Sequence, residues 1–84
     1  MLTAWKTDKG GNELENTSKW EVEYISTTID STWIRFLDEN KRIVLDLEKG
    51  EYIKCYDSIM ESVYNYRIIG AYDGAYRVEL IERI

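Results

Sequence analysis

The side chains of this chain best suited to catalysis are one pair of carboxylates and one thiol. Glu21 and Glu23 alternate with apolar residues, so on a strand both project from one face, and paired carboxylates can divide acid and base roles. Cys55 is the only cysteine, and it attacks substrates only as a thiolate. The chain has no histidine, the usual base that activates a thiol. We therefore expect two solvated surface carboxylates, a packed and inert Cys55, and no enzymatic activity.

The sequence carries no signature of a metal, cofactor or phosphate site. One cysteine without histidine supplies neither a thiolate cluster nor an imidazole ligand for zinc. The glycine pairs Gly10-Gly11 and Gly70…Gly74 match neither the GxxxxGK[ST] nor the GxGxxG pattern. We expect no cofactor and no bound metal, and we assign these glycines to turns and strand packing.

The charge of the chain narrows the classes of partner. Sixteen acidic against 11 basic residues give a net charge of −5, which repels a phosphate backbone and makes nucleic acid an unfavoured partner. No apolar stretch approaches the roughly 18 residues of a membrane span, and no signal-peptide pattern begins the chain, so we expect no membrane contact. A single cysteine favours a cytoplasmic location.

The elements that position these side chains are mostly strands. Eighty-four residues form one domain, so we predict a single β-rich domain over 1–84 with a polar loop at about 8–19. Trp20, Val22 and Tyr24 alternate with acids, which predicts a half-buried strand, and a change of phase predicts a bulge near Ile25. Residues 43–47 also alternate, with Ile43, Leu45 and Leu47 on one side of a strand paired to 32–37 in a hairpin.

Two local signals organise the C-terminal half. Ser58 and Glu61 have the spacing of a capping box, which predicts one short helix near 58–65. Asp73-Gly74 predicts a type I′ hairpin turn, and counting back from it places Ile68 opposite Glu79. The fold predicted overall is mainly β, with α+β at the margin: a small antiparallel barrel or bent sheet of five or six strands with that one helix.

The aromatic residues are the most suggestive feature of the composition. Three tryptophans and seven tyrosines exceed what one small core encloses easily. We expect Trp5, Trp20 and Trp33 in the core. Surface positions are expected for Tyr52, Tyr56, Tyr64, Tyr66, Tyr72 and Tyr76. Counting from the hairpin turn puts Tyr66 and Tyr76 on opposite faces, so at least one of the C-terminal tyrosines is expected to escape the core. The predicted binding residues are Tyr66, Tyr72, Tyr76, Arg67 and Arg77.

These observations leave two functions open. The leading hypothesis is a small acidic interaction protein, not an enzyme, that binds and in one version inhibits a protein partner through an aromatic surface and a sheet edge. Its Pro-free, Ile-, Lys-, Asn- and Tyr-rich composition is typical of AT-rich bacterial, phage or mobile-element genomes. The alternative is a barrel that binds a nucleotide or another small anionic ligand with tyrosines and with Arg35, Arg67 and Arg77. A homodimer is compatible with both.

Overall fold

The strands of this chain close into a barrel. The computed structural model describes residues 2–15, 17–28 and 30–84, and within those residues it contains six strands and no helix. The strands are β1 (Leu2–Thr7), β2 (Trp20–Thr27), β3 (Thr32–Leu37), β4 (Tyr52–Asp57), β5 (Ser62–Tyr72) and β6 (Ala75–Arg83). Every neighbouring pair is antiparallel, and the order around the closed barrel is β1-β2-β3-β6-β5-β4. The prediction of a mainly β small barrel is confirmed.

The strand order explains why one connection crosses the barrel. The order consists of two three-stranded meanders joined at both edges, so β3 lies between β2 and β6, whereas β4 lies between β1 and β5. The chain between β3 and β4 must therefore pass over one end of the barrel. We call this connection, residues 38–51, the lid, and the end that it covers the lid end. Because neighbours are antiparallel, the 73–74 turn also lies at the lid end, and the 58–61 turn lies at the far end.

The barrel interior is filled with side chains. Fully buried Ile34, Phe36, Ile53 and Ile68 lie at its centre. Phe36 contacts Trp20 and Tyr76, at ring-centroid distances of 5.6 and 5.9 Å. A six-stranded barrel is narrow enough for side chains to fill, and the buried residues that the structure describes form one packed cluster in this one. Trp20 belongs to this core, as expected, whereas Trp5 and Trp33 are only half-buried.

The C-terminal hairpin has the predicted turn but a different register. Asp73 and Gly74 both have positive φ, 51° and 78°, as a type I′ turn requires. Pairing follows the predicted register as far as Gly70 opposite Arg77, and then Ile69 is an extra residue on β5, so that Ile68 faces Val78. A further shift leaves Ile81 unpaired on β6.

The extra residue at Ile69 decides which tyrosines are buried. Side chains alternate between the two faces of a strand, so one inserted residue exchanges the faces of everything beyond it. Tyr66 is thereby turned into the interior together with Tyr76, and their exposed fractions are 6% and 2%. The prediction that these two tyrosines lie on opposite faces is wrong, and neither is a surface residue.

The predicted helix near 58–65 is absent, and strand pairing replaces it. Residues 58–61 form the turn between β4 and β5, and the carboxylate of Asp57 accepts hydrogen bonds from the N–H groups of Ile59 and Met60 at 3.0 and 3.2 Å. Val63 pairs with Tyr56 directly after this turn. A helix of about two turns is marginal alone, so the strand ladder prevails.

Residues 43–47 form a different structure from the predicted strand. Ile43 makes only an isolated bridge with Leu37, and no ladder continues from it. Val44 and Leu47 are buried, whereas Ile43 and Leu45 are exposed, so the buried set differs from the predicted one. The reason is the strand order. A segment that crosses the barrel end leaves β3 and packs its apolar side chains onto the end of the core, so it does not continue in a ladder with a strand. The predicted bulge near Ile25 is confirmed.

Candidate functional site

An apolar surface lies at the lid end, where the C-terminal hairpin meets the lid. Tyr72 at the hairpin tip and Leu45 in the lid are 77% and 73% exposed. Gly74 lies between them, and a Cβ placed on it would lie 3.4 Å from Ile43 Cγ2 and 3.9 Å from Leu45 Cδ2. These are ordinary van der Waals distances, so the hairpin turn and the lid lie against each other, and it is the positive φ of this position that favours glycine. We call Ile43, Leu45 and Tyr72 the apical surface.

A buried tyrosine holds the lid in the conformation that presents Leu45. The Tyr76 hydroxyl donates to the Val44 carbonyl at 2.8 Å and accepts from the Leu47 N–H at 3.3 Å. Burial raises the pKa of Tyr76, which keeps this hydroxyl protonated and able to donate. Because Val44 and Leu47 are anchored and buried, the two residues between them, Leu45 and Asp46, are directed outward.

A groove on the outer wall of the barrel adjoins the apical surface. Ile34 and Phe36 point into the core, so Trp33 and Arg35 on the same strand point outward. The groove has a volume of about 350 Å³ and is lined by Ile25, Ser26, Trp33, Arg35, Tyr72, Asp73 and Ala75. Ile25 reaches the groove from the bulge in β2. Tyr72 belongs to both the groove and the apical surface, which makes the two continuous.

The cations near the groove are engaged within the protein. Arg35 Nη1 lies 3.6 Å from Glu23 Oε1, although its buried Nε has no hydrogen-bond partner. Arg77 Nη2 donates to the Asp30 carbonyl at 3.2 Å. Asp73, which also lines the groove, is exposed. The groove therefore combines two aromatic walls with balanced charge, and it is not a strongly basic anion site.

The five residues predicted to bind do not converge. Tyr66 and Tyr76 are in the core, and the Tyr66 hydroxyl lies 3.1 Å from the Tyr24 hydroxyl. Tyr72 alone of the three tyrosines is exposed, as expected for at least one of them. Arg67 is half-buried on β5 opposite Glu79, and Arg77 is exposed on β6 opposite Trp33.

Sequence reasoning missed most of the apical surface. The alternation predicts Ile43 and Leu45 on one side of a paired strand, and Trp33 is expected in the core. One signal was available, since the sequence Ile-Val-Leu-Asp-Leu over 43–47 has apolar residues at four of five positions. A strand with one wet face needs more polar positions than this. The segment has more apolar residues than one buried face of a strand can hold, which indicates that some of them are exposed.

The candidate chemical groups of the sequence lie in three different surroundings. Cys55 is fully buried, as predicted, and burial raises its pKa to about 12, so almost no thiolate exists near neutral pH. Glu21 forms an ion pair with Lys41 at the surface, and Glu23 faces Arg35. Among the described residues, no group of three or more Cys, Asp or Glu side chains is arranged to hold a metal ion.

No known protein family, curated protein or solved structure matches this chain. Within the part of the chain that the structure describes, there is no helix long and apolar enough to cross a membrane. The apical surface and its adjoining groove are therefore the candidate site of this chain.

Proposed function

We propose that this chain is a protein-binding module without catalytic activity, and that it engages a partner protein through the apical surface and the adjoining groove. The observation that carries the proposal is the exposure of Tyr72 and Leu45, 77% and 73%, at the same end of the barrel, where Gly74 of the hairpin turn lies against Leu45. Exposed apolar groups clustered in this way mark interaction sites, and tyrosine is enriched among the residues that dominate binding energy.

The elements beneath this surface support the proposal because they are well anchored. Tyr72 lies on a tight two-residue turn, and Leu45 lies between two lid residues that Tyr76 holds by hydrogen bonds. A surface that is already ordered loses little conformational entropy on binding, so more of the contact energy appears as affinity. Tyrosine adds a large contact area with only two side-chain torsions.

A protein partner fits these features better than a small anionic ligand does. The arginines that such a ligand would need are already engaged within the protein. Arg35 in the groove faces Glu23, and Arg77 donates to a backbone carbonyl. If this chain covers a functional site of its partner, binding inhibits the partner. The net charge of −5 favours binding to a basic site on the partner.

Affinity capture with matched baits tests this proposal. The baits are the intact chain, the Leu45→Ala/Tyr72→Ala variant, and an Ile59→Ala/Met60→Ala control that removes exposed apolar residues from the turn at the far end. Truncating a central interface aromatic typically costs about 2 kcal/mol or more, roughly a 30-fold loss of affinity. We expect specific proteins, quantified by mass spectrometry, to be retained by the intact chain and the control and lost from the apical variant.

Two outcomes would contradict the proposal. The first is retention of the same proteins by all three baits, which would place binding elsewhere. The second is a small anion that co-purifies with the intact chain and is lost from Arg35→Ala and Arg77→Ala variants, with steep dependence on salt. That result would favour the ligand-binding alternative.

A further inference from the structure

Two carboxylates frame the apical surface. Asp46 follows Leu45 at the crest of the lid, and Asp73 follows Tyr72 in the hairpin turn. Both are exposed, and neither forms an ion pair with any described residue. An exposed apolar centre is therefore accompanied by negative charge that the protein itself does not neutralise.

The wider surroundings are also acidic. Across the lid and the hairpin tip, residues 38–51 and 72–75, carboxylates outnumber basic side chains two to one. The acids are Asp38, Glu39, Asp46, Glu48, Glu51 and Asp73, and the bases are Lys41, Arg42 and Lys49. Lys41 is paired with Glu21 and Glu51 with Lys6, and both partners lie outside the lid. Setting these two pairs aside, carboxylates still outnumber basic side chains around the apical surface.

We infer that the apical surface receives a segment of a partner protein in which one aliphatic or aromatic side chain is flanked by lysine or arginine. The inference rests on the proposed function and names the chemistry of its partner. The apolar side chain covers Leu45 and Tyr72, and the flanking cations neutralise Asp46 and Asp73. Complementary charge of this kind accelerates encounter and selects among partners, while the apolar centre supplies most of the affinity.

A second copy of this chain fits the surface less well. In a two-fold symmetric dimer the same patch lies on both sides of the interface, so the apical surface would meet its own image. Asp46 and Asp73 of the two copies would then approach one another, and like charges in an interface oppose association unless they are compensated. The charge pattern favours a different, basic protein.

Selection from a library of displayed random peptides tests the inference even while the partner is unidentified. The intact chain is the target, and the Leu45→Ala/Tyr72→Ala variant is used for counter-selection. We expect the enriched peptides to carry lysine or arginine on both sides of one apolar residue. One such peptide, synthesised with a fluorophore, is then titrated against variants of the protein by fluorescence anisotropy.

The variants remove charge without changing shape. We expect Asp46→Asn and Asp73→Asn each to lower the affinity for the peptide about two- to five-fold at low salt, which is the effect of one exposed ion pair. Each should also reduce the dependence of that affinity on salt concentration. Asparagine tolerates the positive φ of residue 73, so the turn is retained. Glu61→Gln, at the far end of the barrel, changes the net charge equally and should leave affinity unchanged.

The outcomes separate the inference from the proposal beneath it. Peptides that require Leu45 and Tyr72 but lack basic residues, or that bind the Asn variants as well as the intact chain, overturn the charge inference and leave the proposed function standing. A library without any clone that requires Leu45 and Tyr72 overturns both. Concentration-dependent dimerisation in sedimentation that is lost from the Leu45→Ala/Tyr72→Ala variant assigns the surface to a second copy and also overturns the inference.

Discussion

The two long connections at the lid end begin with the same turn and then differ. In each, an aspartate at the end of a strand donates its N–H to the carbonyl four residues on, Asp8 to Asn12 and Asp38 to Arg42, both at 2.9 Å. In each, the carboxylate accepts the N–H of that same residue, again at 2.9 Å. The residue before it has positive φ, 84° in Gly11 and 63° in Lys41. The aspartate alone accounts for the shared turn.

The connections continue alike through one bridge, Thr7 with Glu13 and Leu37 with Ile43, and differ from the next residue onward. Leu14, directly after its bridge, is exposed, and that connection leads to the adjacent strand. In the lid, Val44 and Leu47 are buried over Phe36 and Tyr76. The same local turn therefore begins either a surface loop or a packed cover, depending on the apolar residues that follow it and the distance to the next strand. The lid is therefore part of the core, whereas the described residues of the β1–β2 connection are half-buried or exposed.

Truncation of one leucine in each connection should give the largest contrast. Leu47→Ala removes a buried side chain and is expected to lower the free energy of unfolding by about 2 to 4 kcal/mol. Leu14→Ala removes an exposed side chain and should change it by less than about 0.5 kcal/mol. Urea unfolding followed by tryptophan fluorescence measures both. Equal losses would show that the two connections are packed alike and would break the comparison.

The hydrogen bonds of Tyr76 to the lid should have the next largest effect. Tyr76→Phe keeps the ring but leaves the buried Val44 carbonyl and Leu47 N–H without their partner, which is expected to cost about 1 to 2 kcal/mol of unfolding free energy. Tyr72→Phe, at the exposed tip, is the matched control and should be neutral. Hydrogen exchange of the Leu47 amide should quicken in Tyr76→Phe alone. An unchanged exchange rate would show that the lid is held by packing and not by this hydroxyl.

The end of the lid carries a smaller, pH-dependent contribution. Burial raises the pKa of Glu51, but hydrogen bonds from Lys6 and from the Glu48 N–H outweigh burial, so its pKa lies below the ordinary 4.5. The carboxylate thus stabilises the fold above about pH 4.5, and this stability is lost as the pH falls through the lower folded value.

The matched variant for this contribution is Glu51→Gln. It should be less stable than the intact chain at pH 7 by less than about 1 kcal/mol, since the pair with Lys6 is partly exposed. The difference should shrink as the pH falls below about 4.5 and vanish once the glutamate is protonated in both the folded and unfolded states. Urea midpoints at several pH values measure it, and a gap that persists in acid would assign the effect to packing.

Much of the local structure follows from short-range patterns in the sequence. Alternation around Trp20, Val22 and Tyr24 predicts β2, and the break in that alternation predicts the bulge at Ile25. Asp73-Gly74 predicts its turn because few residue pairs adopt positive φ twice in succession. Such features depend on backbone sterics and on neighbours within a few residues, so the sequence determines them independently of the tertiary fold.

Which tyrosines and lid residues are exposed was decided only by the tertiary structure. The extra residue Ile69 reverses the faces of β5 beyond it. The adjacent Gly70 is a local signal of a bulge, but the register shift itself depends on the pairing of β5 with β6. Likewise, Leu45 is exposed because β3 and β4 lie on opposite sides of the barrel, so the lid must cross its end. Alternation in the sequence predicts which residues share a face of a strand. Which of the two faces packs on the core depends on strand order and register, and both are set by contacts between residues far apart in the chain.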